Sequence, residues 1–134
     1  MQHRLFGALA SLLLVVFACR PPGSATAGVK LVVLYPPPQD VRAFEQVYAN
    51  EHVPMVTPEN FPGLTRFTAS KVIASPDGTP PAFYRIAELH FGSMATLQAA
   101  MALPSAQRVA AHAGTISTGG RPVVLVVEES VKTF

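Results

Sequence analysis

Two runs of aliphatic residues, "VKLVVLY" from Val29 and "PVVLVVEE" from Pro122, restrict this chain more than any other feature. Each is too short for a core helix and apolar at nearly every position, so each predicts a strand buried on both faces. Whatever lies between them, or binds beside them, has to cover two sides of a sheet.

The intervening residues supply the remaining elements. "PPP" at 36–38 ends the first strand, and Asp40 is placed to cap a helix in which Val41, Phe44, Val47, Tyr48 and His52 recur at helical spacing. Pro54 disfavours helical backbone at Val53 and predicts the helix end there. Residues 54–63, with three prolines and a glycine, read as a loop. "LTRFTASKVI" from Leu64 reads as a half-buried strand, "SPDGTPP" as a turn on the Asp77–Gly78 step, and Ala82 to Phe91 as the returning strand. Ser93 caps a helix presenting Met94, Leu97, Ala100 and Met101. Pro104 and Ser105 restart a helical piece through His112, which Gly114 stops. Pro122 to Glu128 is the last strand.

The order β-α-β-β-α-β predicts an α+β, ferredoxin-like domain over 29–129: an antiparallel four-stranded sheet with both helices on one face, and a tail at 130–134. The uncovered face would then expose a large apolar patch. Two such sheets packed face to face bury both patches, which predicts a twofold homodimer in the form of a dimeric α+β barrel.

The first segment, "MQHRLFGALASLLLVVFAC", has a basic start at Arg4 and an uncharged run from Leu5 to Ala18, shorter than the ~20 residues of a spanning helix. It reads as a signal peptide over 1–18. "VVFAC" resembles the lipobox of bacterial lipoproteins, which predicts lipidation at Cys19, a tether over 19–28, and attachment to the membrane of the cell envelope or periplasm through that lipid alone. Cleavage after Ala27 is the competing route and discards Cys19. Either way the folded domain has no cysteine, which removes disulfides and thiol catalysis. Of ten Lys and Arg, Arg4 and Arg20 leave with the export segment, so eight basic residues face eight acidic ones. A neutral domain without a basic stripe predicts no nucleic-acid partner.

"KLVVLY", "FEQVYANEHVPM", "FPGLTRF", "YRIAELHF" followed by Gly92–Ser93, and "LQAAMALPSAQRVAAH" together resemble the EthD-like family of the dimeric α+β barrel superfamily. The likeness spans essentially all of 29–129. One departure is that His112 and Ile116 stand where the family often has an acidic residue and an aromatic. The resemblance implies a homodimer that handles a small hydrophobic or aromatic molecule in a pocket between sheet and helices. Its implied chemistry, if any, is cofactor-free proton transfer or oxygenase- or isomerase-type turnover; a non-catalytic binding or structural envelope protein is the alternative. Fold likeness raises the prior for a pocket without choosing the reaction.

Tyr48 and His52, four apart on a helix, project to one side with Phe44 a turn earlier. An imidazole can take a proton from a phenol or an activated carbon while a phenolic hydroxyl holds the substrate oxygen, so His52 and Tyr48 are the candidate catalytic pair and Phe44 a candidate ligand contact. The competing reading is that His52 caps the helix C-terminus. Glu88 and His90 alternate on the third strand and are candidate ligand contacts, or else line a dimer interface or solvent edge. His112 reads as a C-terminal cap. The mature chain has three histidines with no His-x-x-x-His spacing and no clustered carboxylates, which predicts neither a metal site nor a cofactor; haem on an axial histidine, known in relatives of this barrel, stays open. No Ser-His-Asp order, phosphate loop or dinucleotide fingerprint occurs, and "STGG" at 117–120 reads as a turn.

Overall fold

The computed structural model describes residues 28–132; the signal segment, Cys19 and most of the tether lie outside them. The chain runs β1 (Val29–Tyr35), α1 (Val41–Val47), β2 (Leu64–Lys71), β3 (Arg85–Phe91), α2 (Met94–Met101), α3 (Pro104–Ile116) and β4 (Val123–Glu128). The strands form one antiparallel sheet in the order β2-β3-β1-β4, the arrangement expected of the ferredoxin-like motif.

β1 sits second from the edge, and its alternation sorts the two faces. Val29, Leu31, Val33 and Tyr35 are buried, and they join Phe44, Leu97 and Val109 of the three helices in one core. The intervening Lys30, Val32 and Leu34 point to the other face, beside His90, Glu88 and Ile86 of β3 and Val127, Leu125 and Val123 of β4. Truncating a buried side chain such as Leu31 to alanine would cost about 2–5 kcal/mol. β4 is covered on neither face: Val123, Val124, Leu125 and Val126 are 42–54% exposed. The expected apolar patch is therefore concentrated on an edge strand, where open backbone groups add to its exposure.

Helix starts follow the expected caps. Asp40 Oδ1 accepts the Ala43 N–H and Ser93 Oγ accepts the Thr96 N–H. Two helix ends differ from the sequence reading. The chain does not leave the helical region at Val53; it widens into a π-turn over Tyr48–His52 and tightens into a 3₁₀ turn over Val53–Met55. The Val53 N–H reaches back to Tyr48 O, five residues away, and this wider spacing relieves the clash that Pro54 would make with an α-helical carbonyl. Gly114 does not stop the second helical region either, because α3 continues through it to Ile116. The β2–β3 hairpin closes through a longer connection than expected, with Val72 N–H bonded to Tyr84 O ahead of the Asp77–Gly78 turn.

Candidate functional site

Tyr35 shares the face of Leu31 and Val33, so it meets the underside of the first helix at the end of β1. Its hydroxyl lies 3.1 Å from His52 Nε2, and His52 Nδ1 lies 3.0 Å from His112 Nδ1 on α3. The line continues outward: His112 Nε2 is 4.0 Å from the carboxylate of Glu51, which stands in solvent. Three side chains from three elements thus form one hydrogen-bonded row that starts in the core and ends at the surface.

Only two proton arrangements satisfy this row. In one, Tyr35 donates to His52 Nε2, His52 Nδ1–H donates to His112, and the remaining His112 proton faces Glu51. In the other, His112 Nδ1–H donates to His52, His52 Nε2–H donates to the Tyr35 oxygen, and the Tyr35 proton is free for another acceptor. Burial lowers the His52 pKa to about 4, with His112 beside it adding to the effect, so the ring is neutral at physiological pH. Burial, and then the neighbouring Tyr48, raise the Tyr35 pKa above its usual value, which keeps the phenol protonated.

Tyr35 and His52 also line a cleft of about 500 Å³ between the sheet and the helices. Leu31, Val33, Ala87 and Leu89 form its floor, Phe67 and Met101 lie on the β2 and α2 sides, and Val56, Phe61 and Val109 close it over. Its polar lining is confined to Tyr35, His52, Thr115 and Arg121. A mainly apolar cleft with a few convergent polar groups is the usual form of a small-molecule site.

The sequence-derived candidates divide between the two sides of the sheet. His52 stands in the cleft, and both ring nitrogens bond side chains rather than helix carbonyls, so its place differs from that of a cap. His112 also departs from the capping expectation: it lies a turn before the end of α3 and its Nδ1 faces His52. Tyr48 is buried but does not line the cleft. Its ring stacks on Phe44, carries the Arg85 guanidinium 4.9 Å above it, and presents a hydroxyl that meets no hydrogen-bonding partner among the described residues. Phe44 packs behind it, away from the cleft. Arg85 is held there by Glu45, which also accepts from the Tyr84 hydroxyl; burial alone would raise the Glu45 pKa, but these two partners outweigh it and hold the carboxyl below its usual range.

Glu88 and His90 lie on the opposite face of the sheet. Lys30 bonds Glu88 and Glu129, Thr68 donates to Glu88, and the Arg66 guanidinium and His90 Nδ1 are 3.2 Å apart. The Lys30 bond chiefly holds Glu88 below its usual pKa, opposed by burial and assisted by Thr68. No group of three or more His, Cys, Asp or Glu side chains that could hold a metal ion occurs among the described residues. Sequence reasoning missed Tyr35 and the pairing of His112 with His52. The parity of β1 was the available signal, because it puts Tyr35 on the helix-covered face.

Comparison with known proteins finds relatives of the chain as a whole. A model of the EthD domain matches residues 36–118. An uncharacterized 11.0 kDa protein from the thcB–thcC intergenic region of Rhodococcus erythropolis is 36% identical over 102 residues, which are 76% of this chain and 96% of that one. An ethyl tert-butyl ether D (EthD) family protein from Bacillus halodurans superposes with a TM-score of 0.69 at 29% identity, over 76% of this chain and 98% of its own. An EthD-like protein from Ralstonia eutropha gives 0.63 at 27%, over 81% and 96%. The fold alone is shared with a dimeric ferredoxin-like protein from Jannaschia sp., at 20% identity and a TM-score of 0.52 over 78% of this chain and 99% of that one.

Proposed function

The chain belongs to the EthD domain family, and from that premise we propose that it binds a small hydrophobic or aromatic molecule in the cleft between sheet and helices and moves a proton to or from it without a cofactor. One observation carries this reading: Tyr35, His52 and His112 form an unbroken row, at 3.1 and 3.0 Å, that begins in an apolar cleft. Apolar walls bind and desolvate the molecule, and the row supplies the polar groups that act on it.

In this reading Tyr35 and His52 are the catalytic residues and His112 positions His52 by fixing its tautomer. Tyr35, kept protonated by burial, donates its O–H to His52 Nε2, and its oxygen is left to accept a proton from the substrate. A proton leaving an activated carbon or hydroxyl of the substrate passes to the Tyr35 oxygen as the Tyr35 proton moves to His52 Nε2 and the His52 Nδ1 proton moves to His112, so the charge ends on His112 beside Glu51. The step needs no oxidant, because a proton alone changes place.

The test is deuterium incorporation, followed by NMR, into a panel of small enolisable aryl ketones and keto acids. Parent protein is expected to catalyse exchange, and His52→Gln to lose at least about a hundredfold in rate while keeping affinity within threefold. Binding without exchange throughout the panel would replace this reading with that of a non-catalytic binding protein.

Assembly and location belong to the same proposal. The protein acts as a homodimer whose uncovered sheet faces meet, a reading supported by the exposed apolar strand β4 and by dimeric neighbours of the same fold. It is exported to the bacterial cell envelope and held there by a lipid on Cys19, a reading supported by "VVFAC" and the Pro- and Gly-containing tether after it.

A further inference from the structure

The turn at 117–120 leads into a residue that the proton row does not use. Ser117 Oγ donates to Gly120 O at 2.6 Å, and Thr118 Oγ1 accepts the Gln39 N–H at 3.1 Å. Gly119 is pressed against the proline run after β1, where any Cβ would fall 1.8 Å from Pro37 O, and Gly120 has a positive φ of 143°. Glycine is required twice in succession, once for space and once for conformation. The turn is therefore fixed to the segment that follows Tyr35, and it delivers Arg121 to the cleft wall.

Register locates that delivery. β1 and β4 pair so that Leu34 faces Val123, which puts Pro122 opposite Tyr35 and Arg121 one residue beyond, at the Tyr35 end of the cleft. Arg121 is the one permanently charged side chain among the lining residues, and no carboxylate lines the cleft. No ion pair to Arg121 is formed among the described residues. The far walls toward Leu89, Phe67 and Met101 are apolar. The cleft is thus polarised along its length, with a cation at the Tyr35 end and hydrocarbon at the other.

We propose that Arg121 selects the ligand class: a small molecule with an apolar, aromatic-sized body and one anionic oxygen group, a carboxylate or phenolate, bound with the anion at Arg121 and the body against Leu89 and Phe67. A planar guanidinium matches a carboxylate with two parallel hydrogen bonds, which makes it a recognition group rather than only a charge. The inference rests on the cleft being the ligand site as proposed above. It does not depend on turnover. The neutral state of His52 adds a consequence, since an anion nearby favours protonation of the ring.

Isothermal titration of 2-naphthoate and its neutral counterpart 2-naphthamide separates the possibilities. Parent protein is expected to bind the acid at least about tenfold tighter than the amide. Arg121→Gln should erase that preference by weakening the acid alone, Arg121→Lys should keep part of it, and Arg121→Glu should reverse it. In the same samples, 2-naphthoate should raise the pKa of His52 measured on its ring resonances. Equal affinity for both probes, unchanged in Arg121→Gln, would overturn the selection by Arg121 and leave the cleft as the binding site. Failure of the parent to bind either probe would overturn it together with the cleft reading. An acid preference without deuterium exchange would uphold it on a non-catalytic protein.

Discussion

His52 and His112, sixty positions apart, place their imidazoles nearly parallel, 14° between planes, with the two Nδ1 atoms 3.0 Å apart. Between those two atoms there is room for one proton. Protonating His52 would put a charge into an apolar surround against the second imidazole, which is the physical reason that burial, and after it the neighbouring ring, depress the His52 pKa.

Stability should therefore depend on pH in a defined window. The His52 pKa is about 4 in the folded chain and about 6.5 in an unfolded one, so between these values the unfolded state binds more protons. The stabilisation is fully present above about pH 6.5 and is lost as pH falls toward 4. Glu45 and Glu88, also depressed, contribute only below the ordinary carboxylate range near 4.5 and leave the window clear. Circular dichroism melts should show the midpoint dropping by roughly 5 °C from pH 7 to pH 4.5, and His52→Gln should flatten that slope. A parent midpoint constant across the window would refute a neutral, buried His52.

The two tyrosines near His52 should behave oppositely. Tyr35→Phe leaves His52 Nε2 buried without its partner and is expected to cost about 1–3 kcal/mol. It should also remove deuterium exchange. Tyr48→Phe deletes a hydroxyl without a protein partner, so denaturant unfolding should show a stability within about 0.5 kcal/mol of parent or higher, with exchange unchanged. Loss of exchange in Tyr48→Phe and not in Tyr35→Phe would reverse the assignment made from the geometry.

The element order was legible because apolar runs and breakers coincide: β1 stops at a proline triplet, α1 and α2 begin on Asp40 and Ser93, and β4 starts after Pro122. The site was half legible. Spacing four apart aligned Tyr48 with His52, but a stripe of apolar residues does not distinguish an α-turn from the π-turn that re-aims them, a difference set by packing around Pro54. Tyr35 closes an apolar run and reads as core. His112 was hidden because Gly114 resembles a stop signal, although a glycine in an exposed last turn lowers helix stability without ending the helix.

Processing can be tested on the full chain. Lipidation at Cys19 predicts that the parent enters the detergent phase on Triton X-114 partitioning and that Cys19→Ala moves to the aqueous phase. Equal partitioning of both would remove the lipid anchor and favour cleavage after Ala27.

The uncovered face should pair two copies of the chain, and the cause lies in β4 rather than in the sheet as a whole. On the polar half of that face Lys30, Glu88, Thr68, Arg66 and Glu129 already pair with one another within one chain, while His90 Nε2 is buried without a hydrogen-bonding partner among the described residues. The apolar half, Val32, Leu34, Ile86, Val123 and Leu125, has no such internal remedy, and Val123 and Leu125 are 42% and 45% exposed. A second copy related by a twofold axis can bring apolar half to apolar half while leaving each charge network intact, so association buries hydrocarbon without stranding ions. Sedimentation equilibrium of residues 28–134 should give twice the monomer mass at micromolar concentration. Leu125→Asp should yield a folded monomer, since the position is open to solvent within one chain and is desolvated only on pairing. Val124→Asp is the control: it lies on the same strand but on the cleft side, and it should leave the dimer in place. A parent that sediments as a monomer, or a Leu125→Asp variant that remains dimeric, would rule out pairing through this face.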